Sequence, residues 1–366
     1  MIIGIPKETR PGEARVAITP EVASKLAGKG FSLRMERGAG LDAGYHDDDY
    51  AAAGVELVER SDALGAELVV KVRKPDLDEV AQMREGALYV GFVETCDERD
   101  EVLQALFERG VRPIAMERIP RISRAQSMDA LSSQSNIAGY RAVIEAAARY
   151  GRFFPLMMTS AGSVKPARVV VLGAGVAGLQ AIATARRLGA EVYAYDIRPE
   201  TREQIESLGA KPIDLDLGEE GSGEGGYARE LSDEAKARQQ ALLADELARA
   251  HVIITTALVP CRPAPVLITE SVVKRMREGS VIVDLAAANG GNCPLTEADK
   301  VVRKHGVILV GHTNYPSMMA GDASTFYANN VANLLAIMFD KGPSGPVLKD
   351  LAEDEITAAA LMQPHG

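Results

Sequence analysis

The segment Ala167–Arg198, which reads ARVVVLGAGVAGLQAIATARRLGAEVYAYDIR, constrains the fold more than any other part of the chain. Its apolar runs predict buried strands at Val169–Leu172 and Glu191–Tyr195, with a helix between them that closes at Gly189. The turn into that helix carries three glycines, Gly173, Gly175 and Gly178. This order of strand, glycine-rich turn, helix and strand predicts an α/β unit that binds a dinucleotide.

The glycines and the acid after the second strand have separate physical roles. Gly173 makes the tight turn, Gly175 lets the backbone approach a pyrophosphate, and Gly178 lets the helix pack close to the strand. The helix N-terminus offers unpaired N–H groups to phosphate. Asp196 lies 23 residues after Gly173, where its carboxylate can accept bonds from an adenosine ribose. This acid favours NAD over NADP, because it would repel a 2′-phosphate.

The sequence disfavours membrane spanning, nucleic-acid binding and export. A membrane span is the competing interpretation of the uncharged stretch Val169–Ala185, but its glycines and the following Arg186–Arg187 pair favour a buried strand and helix. The net charge of −10 argues against nucleic acid as a partner, because phosphate binding needs a basic face. The N-terminal residues contain no secretory signal, so we expect a cytoplasmic protein.

The sequence offers few of the usual catalytic side chains. It contains no GxSxG, HExxH or P-loop motif, and its five histidines include no metal-spaced pair. Only His312, after a predicted strand at Ile308–Val310, lies where a dinucleotide-binding domain keeps active groups, and a structural role is favoured even there. We therefore expect a chain that binds a redox cofactor without an evident acid or base.

Two α/β domains are expected from the length of 366 residues and from the alternation of strand-like and helix-like runs. The other predicted strands are Ile2–Ile5, Ser32–Glu36, Glu67–Val72, Ala87–Val93, Arg112–Ala115, Val252–Thr255 and Val281–Asp284. A long helix predicted after Asp322 returns to complete the first domain. We predict an N-terminal α/β domain of residues 1–132 and 328–366 and an NAD(H)-binding domain of residues 133–327, both with parallel sheets.

Two segments allow more than one interpretation. The polar stretch Ser123–Asn136 is either a solvated linker that caps the next helix or a ligand site at the domain junction. The acidic, glycine-rich segment Leu217–Tyr227 is a mobile surface loop by composition alone, and a lid over a bound ligand is the sharper alternative.

A series of motifs runs in order over essentially the whole chain. They are IGIPKET, RVAITPE, GAGLDAG, ELVVKVRKP, SMDALSSQSNIAGYRAV, the glycine fingerprint, TTALVP, APVLITE and GGNCPL. Together they resemble the superfamily that joins alanine dehydrogenase with the NAD(H)-binding component of proton-translocating nicotinamide nucleotide transhydrogenase. The two branches of this superfamily differ at the substrate.

The substrate-side residues distinguish the branches. Arg15 matches an arginine that helps to bind the substrate carboxylate in alanine dehydrogenases. That branch also has a lysine, a histidine and an aspartate where this chain has Arg73, the histidine-free stretch 93–96 and Ala288. Reductive amination needs a positioned acid–base group, whereas hydride transfer between two nicotinamides does not. The missing histidine therefore favours a transhydrogenase.

The resemblance implies that the polar loop lies over the bound nicotinamide. The residues implied in hydride transfer are Arg121, Gln126, Asp129, Ser132 and Tyr140. Gln126 would orient the nicotinamide ribose, and Arg121 and Asp129 would form a charged pair that shapes the loop. Ser132 and Tyr140 would hold or water-bridge the nicotinamide end.

The resemblance also implies the residues that bind the cofactor. They are Gly173, Gly175, Val176 and Gly178 at the pyrophosphate, Asp196, Ile197 and Arg198 at the adenosine, Ala257 and Leu258 in a lining loop, and Gly226 and Tyr227 in a lid. For the segment Leu217–Tyr227, the resemblance favours the lid over a plain surface loop.

The architecture implied by the resemblance is two Rossmann-type domains with a cleft between them, in a homodimer. NAD(H) would bind this chain, NADP(H) a separate component, and a membrane-spanning component would translocate protons. Because no membrane helix precedes Gly366, we expect a separate subunit that docks on the cytoplasmic side of the membrane through its partners. Two other functions stay open: an NAD-dependent alanine or other amino-acid dehydrogenase, and a non-catalytic NAD-binding module.

Overall fold

The computed structural model describes residues 1–94, 96–97, 99–215, 232–259 and 261–364. Its strands are β1 (Ile2–Ile5), β2 (Ser32–Glu36), β3 (Glu56–Val58), β4 (Leu68–Val70), β5 (Leu88–Gly91), β6 (Arg112–Ala115), β7 (Met157–Thr159), β8 (Gly162–Val164), β9 (Arg168–Leu172), β10 (Glu191–Tyr195), β11 (Lys211–Pro212), β12 (Val252–Thr255), β13 (Val281–Asp284), β14 (Val301–Lys304), β15 (Val307–Val310), β16 (Phe339–Gly342) and β17 (Gly345–Leu348). Its helices are α1 (Pro20–Gly28), α2 (Asp47–Ala52), α3 (Arg60–Leu64), α4 (Leu77–Gln82), α5 (Glu101–Glu108), α6 (Ala130–Arg149), α7 (Val176–Arg187), α8 (Thr201–Ser207), α9 (Asp233–Ala248), α10 (Glu270–Arg275), α11 (Ala320–Met338) and α12 (Glu355–Ala360).

The chain divides into two compact units. Unit 1 contains Met1–Gln134 and Pro316–Gly366, and unit 2 contains Ser135–Tyr315. The first division falls within the first turns of α6. The second falls before α11, whereas the sequence placed it inside that helix, between residues 327 and 328.

Helix α11 belongs to unit 1 as a whole because its buried face packs into the core of that unit. Tyr327, Val331 and Leu334 are fully buried there together with strand residues such as Ile3 and Val90. The Tyr327 hydroxyl also donates a hydrogen bond to the Lys71 carbonyl oxygen at 2.7 Å. The C-terminal segment therefore completes unit 1, while the predicted domain boundaries themselves stay a prediction.

Unit 1 is built on a six-stranded sheet in the order β3-β2-β1-β4-β5-β6, with every pair parallel. Numbered along the chain this is 3-2-1-4-5-6, the strand order of dinucleotide-binding sheets. The first helix begins at Pro20, because proline needs no N–H partner at this position and its φ suits a helix. Thr19 precedes it in extended conformation, but its side chain makes no capping hydrogen bond.

Unit 2 contains a seven-stranded sheet in the order β11-β10-β9-β12-β13-β15-β14. Strands β12 and β13 are buried at every position, as expected for parallel strands covered on both faces. The predicted α/β class with two Rossmann-type sheets is confirmed. The second sheet is mixed, however, because β14 pairs antiparallel with β15.

The antiparallel pair has a local cause in the turn between β14 and β15. Only His305 and Gly306 separate the two strands, and their φ angles are +51° and +79°. Two central residues with positive φ form the tight turn that suits a two-residue hairpin. The sequence prediction missed β14 because a His-Gly pair is a weaker hairpin signal than Asn-Gly or Asp-Gly.

The uncharged stretch Val169–Ala185 is strand β9, a turn and most of helix α7. Its interpretation as a membrane span is therefore wrong. Among the helices that the structure describes, none combines the length and the apolar character that a membrane crossing requires.

Candidate functional site

The glycine turn in unit 2 occupies the three residues between β9 and α7. Gly173 has a φ of +96°, and a Cβ atom there would lie 2.5 Å from the Thr256 hydroxyl oxygen. A Cβ atom on Gly178 would lie 1.8 Å from the Gly173 carbonyl oxygen. The protein itself therefore requires glycine at both positions, one for the turn and one for the approach of the helix.

Gly175 differs from the other two glycines because no protein atom crowds it. A Cβ atom there would meet nothing nearer than the Arg198 Nη2 atom at 4.0 Å. Gly175 is also the N-cap residue of α7, so no side chain accepts from the first N–H groups of that helix. Val176, the first helical residue, is 37 % exposed. A cradle of open backbone at a helix N-terminus fits a pyrophosphate.

The Asp196 carboxylate is bound to the glycine turn and to Arg198. One oxygen, Oδ2, accepts from the Ala174 N–H at 2.6 Å and from Arg198 Nη2 at 2.7 Å. The other, Oδ1, accepts from the Arg198 backbone N–H and Nε, both at 2.9 Å. Because a carboxylate has about four lone-pair directions, a ribose hydroxyl would have to replace one of these bonds. The predicted contact of Asp196 with adenosine ribose stays a prediction.

The loop after β12 lies directly beside the glycine turn. The Thr256 N–H donates to the Leu172 carbonyl at 2.8 Å, and the Ala257 nitrogen lies 3.5 Å from the Cβ position of Gly173. Leu258 is 42 % exposed. The structure thus brings Ala257 and Leu258 to the turn, as their predicted role requires.

Asn292 fixes the conformation of that loop. Its fully buried amide donates to the Ala257 carbonyl at 2.9 Å and to the Pro265 carbonyl at 2.8 Å. The sequence analysis quoted Asn292 only as part of GGNCPL and assigned it no role. A buried asparagine beside two glycines was the available signal.

Helix α6 contacts the start of α7 within unit 2. A Cβ atom on Gly139 would lie 2.0 Å from the Ala177 carbonyl oxygen, so the two backbones are in close contact there. The Asn136 amide donates to Gln180 Oε1 at 3.2 Å. Tyr140 follows the contact glycine and is 38 % exposed.

In unit 1 the polar loop forms a short 3-10 helix, Ser123–Met128. Ala125 and Met128 are buried, whereas Gln126 is exposed. The Gln126 side chain makes no hydrogen bond within the described part of the chain. Its amide therefore lies at the surface, on a backbone that is fixed from below.

Three side chains from the C-terminal segment fix this backbone. The Ser127 carbonyl accepts from Asn330 Nδ2 at 2.9 Å and from Asn333 Nδ2 at 3.1 Å. The Arg124 guanidinium donates to both carboxylate oxygens of Asp354, at 2.7 and 2.9 Å. The loop is an ordered element of unit 1 rather than a solvated linker.

Asp129 and Ser132 form the start of α6. The Asp129 carboxylate accepts from the Ser132 N–H at 2.9 Å and from its hydroxyl at 2.5 Å. This arrangement satisfies a backbone N–H that the first helical turn would leave unpaired. Arg121 lies exposed in the same loop, and its predicted charged pair with Asp129 stays a prediction.

Arg15 belongs to a buried ion cluster in unit 1. Its Nε and Nη2 atoms donate to the two oxygens of Glu13, at 2.7 and 2.6 Å. Both side chains are almost completely buried, with exposed fractions of 3 % and 0 %. Arg73 Nε donates to Glu13 at 2.9 Å, and Arg73 Nη1 to Glu94 at 2.5 Å. Two arginines thus share one internal carboxylate.

Burial alone would raise the pKa of Glu13, but Arg15, Ser317 and Arg73 outweigh it. Hydrogen bonds from Arg15 and Ser317 and the charges of both arginines hold the pKa well below the ordinary value. Glu13 is therefore ionised at neutral pH and neutralises the Arg15 guanidinium. The sequence analysis noted Arg15 but not Glu13, although both lie on one short connection.

The structure divides the predicted site residues between the two units. Unit 1 holds Arg121, Gln126, Asp129 and Ser132; unit 2 holds Tyr140, Gly173, Gly175, Val176, Gly178, Asp196, Ile197, Arg198, Ala257 and Leu258. Ile197 is half-buried against the core of unit 2. The predicted lid residues Gly226 and Tyr227 lie outside the described residues.

Comparison with known proteins identifies the family. Residues 4–138 match the family described as alanine dehydrogenase/PNT, N-terminal domain, and residues 142–365 match its C-terminal domain. The chain belongs to the alanine dehydrogenase/PNT family, and the predicted membership is confirmed.

Individual relatives favour the transhydrogenase branch. The chain is 51 % identical to an NAD(P) transhydrogenase alpha subunit of Rhodospirillum rubrum, covering 100 % of this chain and 97 % of that protein. It is similar to the crystal structure of transhydrogenase from Sinorhizobium meliloti, with a TM-score of 0.83 and 44 % identity over 92 % of this chain and 94 % of that one. Identity to alanine dehydrogenase of Bacillus subtilis is 30 %, over 100 % of this chain and 92 % of that protein.

Proposed function

We propose that this chain is the NAD(H)-binding subunit of a proton-translocating NAD(P) transhydrogenase. A hydride passes directly between NAD(H) on this chain and NADP(H) on a separate component, and a membrane component couples the transfer to proton movement. The 51 % identity along the whole chain to a transhydrogenase alpha subunit supports this function over that of an amino-acid dehydrogenase.

The Glu13–Arg15 pair is the observation that carries the choice between the two activities. An amino-acid substrate needs a cation for its carboxylate, and Arg15 is the residue expected to supply it. Here the guanidinium already binds an internal carboxylate through two hydrogen bonds, and Arg73 binds the same carboxylate. Hydride exchange between two nicotinamides requires neither a bound carboxylate nor a substrate proton, so geometry and exclusion of water suffice.

The proposed roles follow the predicted site. Bound NADH supplies the hydride, and this chain's residues bind and orient the nucleotide. Gly175 and the N-terminus of α7 bind the pyrophosphate, and Asp196, Ile197 and Arg198 contact the adenosine. The remaining proposed contacts are Gly173, Val176, Gly178, Ala257 and Leu258 with the cofactor, Gly226 and Tyr227 in a lid, and Arg121, Asp129, Ser132 and Tyr140 at the nicotinamide end.

A reconstituted assay tests the function. The purified chain is mixed with an NADP(H)-binding transhydrogenase component, and hydride transfer from NADH to an NADP⁺ analogue is followed optically. We expect turnover only when both proteins are present. NADH binding without turnover in any mixture would instead indicate a non-catalytic NAD-binding module, and NAD⁺-dependent oxidation of alanine by the chain alone would indicate a dehydrogenase.

Gln126 is proposed to orient the nicotinamide ribose, because it is an exposed amide on a fixed backbone. Gln126→Asn shortens the side chain by one methylene and keeps the amide. We expect the rate of hydride transfer to fall much further than NADH affinity. Gln82→Asn, on an exposed helix of unit 1, is the control. Equal losses of rate and affinity would remove Gln126 from the orienting role.

The assembly is proposed on the same grounds. We propose a homodimer that binds an NADP(H)-binding component and docks, through a membrane-spanning component, on the cytoplasmic side of a membrane. Exposed apolar side chains near the β7–β8 hairpin support self-association: Phe153, Leu156 and Met158 are 50 %, 55 % and 72 % exposed. Light scattering of wild type and Met158→Asp tests the dimer, and a wild-type monomer at assay concentrations would contradict it.

A further inference from the structure

Asn330 bridges the polar loop and the first turn of α6 within unit 1. Its Nδ2 atom donates to the Ser127 carbonyl at 2.9 Å, and its Oδ1 atom accepts from the Ser133 hydroxyl at 2.7 Å. Asn330 lies on α11 and is only 6 % exposed. One side chain therefore bonds the chain on both sides of the junction between the loop and the helix.

The chemistry of the partners fixes the orientation of this amide. A backbone carbonyl oxygen only accepts hydrogen bonds, so the amide nitrogen of Asn330 must face Ser127. Its oxygen then faces Ser133, whose hydroxyl can donate. Aspartate has the same shape but no N–H, so Asn330→Asp would place an acceptor against the Ser127 carbonyl.

The Ser133 hydroxyl continues the network into the buried ion cluster. It accepts from Gln134 Nε2 at 3.3 Å, and Gln134 Oε1 accepts from Arg15 Nη1 at 2.9 Å. Gln134 also donates to the Ala323 carbonyl at 3.0 Å. Arg15 is held in turn by Glu13, so the support of the loop extends to a rigid, buried ion pair.

We propose that Asn330 is a positioning residue for hydride transfer. It holds the backbone at Ser127 and thereby sets the position of the neighbouring Gln126 amide, without touching the cofactor itself. The inference rests on the proposed function and extends it to a residue outside the cofactor site. It also gives Arg15 a role in this chain, namely to anchor the network that supports the loop.

The test measures rate and affinity separately. In the reconstituted mixture, Asn330→Asp is expected to lower kcat for hydride transfer by roughly 10- to 100-fold, since small misplacements of orienting groups have effects of this size. NADH affinity of the isolated chain should change by less than about twofold, because the pyrophosphate and adenosine contacts are untouched. Parallel losses of kcat and affinity, or no loss of kcat, would overturn the proposal.

The same helix provides matched controls. Asn329 donates to the Thr325 carbonyl within α11, so Asn329→Asp makes the same chemical change without touching the loop, and we expect wild-type rates. Asn333 donates to Ser127 from the exposed side, where water can replace it, so Asn333→Asp should give a smaller loss than Asn330→Asp. Equal rates for Asn329→Asp and Asn330→Asp would contradict the proposal.

Hydrogen exchange makes the inference independent of turnover. Backbone amides of residues 123–129 should exchange faster in Asn330→Asp than in Asn329→Asp, at unchanged melting temperature. If the wild-type mixture shows no turnover, the proposed function fails, and so does positioning for hydride transfer. If the wild type turns over but exchange and kcat of Asn330→Asp are unchanged, only the role of Asn330 fails.

Discussion

The two sheets share a strand order but use the connection after their first strand in opposite ways. In unit 2 the connection from β9 to α7 is three residues long and leaves the backbone at Gly175 open. In unit 1 the connection from β1 to α1 runs from residue 6 to residue 19 and carries Glu8, Glu13 and Arg15, all buried. The same place in the fold is a binding cradle in one unit and a filled, charged core in the other.

The difference shows that strand order alone does not predict a nucleotide site. Glu8 accepts from the Val72 N–H at 2.6 Å, so even the backbone donors near the ends of the unit 1 strands have internal partners. In unit 2 the corresponding donors at the start of α7 have no side-chain cap. Binding capacity therefore depends on which backbone groups the connection leaves unsatisfied.

The largest expected effect comes from opening the filled connection. Glu13→Ala removes the carboxylate that pairs with two buried arginines, and loss of one partner of a buried pair costs about 3–5 kcal/mol. Urea unfolding measures the change in the free energy of unfolding. Glu21→Ala, which removes an exposed carboxylate paired with Lys25, is the control. Similar losses for the two variants would mean that the Glu13 cluster does not stabilise unit 1.

The next effect tests the glycine that the protein itself requires. Gly178→Ala forces a methyl group against the Gly173 carbonyl, so we expect a loss of stability of about 1–3 kcal/mol from overpacking. NADH affinity, measured by fluorescence, should fall by about 100-fold, or close to 3 kcal/mol, because the turn is displaced. Gly151→Ala is the matched control, since nothing lies within 4 Å of its Cβ position.

A smaller and more selective effect is expected at Gly175. A methyl group there is accommodated by the protein, so the melting temperature of Gly175→Ala should equal that of wild type. NADH affinity should still fall by about tenfold, or 1.4 kcal/mol, because the methyl group separates backbone and pyrophosphate. Unchanged affinity would show that Gly175 is not the point of close approach.

The smallest effect is expected at the exposed Arg124–Asp354 pair. The hydrogen bond from Arg124 lowers the pKa of Asp354 to about 2, so its contribution to stability is present above the ordinary pKa of 3.8 and is lost as pH falls through about 2. Arg124→Ala should therefore lower the melting temperature slightly at pH 5 and not at all below pH 2. High salt should remove the difference, as for other exposed pairs.

Local signals were enough to predict much of the fold. β1, β2, β6, β10, β12 and β13 lie at their predicted residues. These strands are apolar runs bounded by turn residues, so the information lies within each segment. β3 and β11 have only three and two residues and no strong apolar run, so they form because neighbouring strands present free backbone groups.

The site was predictable only where one short segment contains it. The turn around Gly173 combines its strand, turn and helix in a single stretch. The bond between Arg15 and Gln134 joins residues 119 positions apart, and the bond between Ser127 and Asn330 joins residues 203 apart. Such pairs depend on how whole elements pack, so no local pattern could indicate that Asn330 supports the loop or that Glu13 occupies Arg15.

The antiparallel strand β14 affects how this chain behaves when no partner is bound. An edge strand carries unpaired N–H and C=O groups and can recruit a strand from another molecule. Arg303 and Lys304 lie on this edge strand, and Lys304 is paired with Glu297 at 2.9 Å. Charged side chains oppose strand addition, so the edge of the sheet in unit 2 resists aggregation.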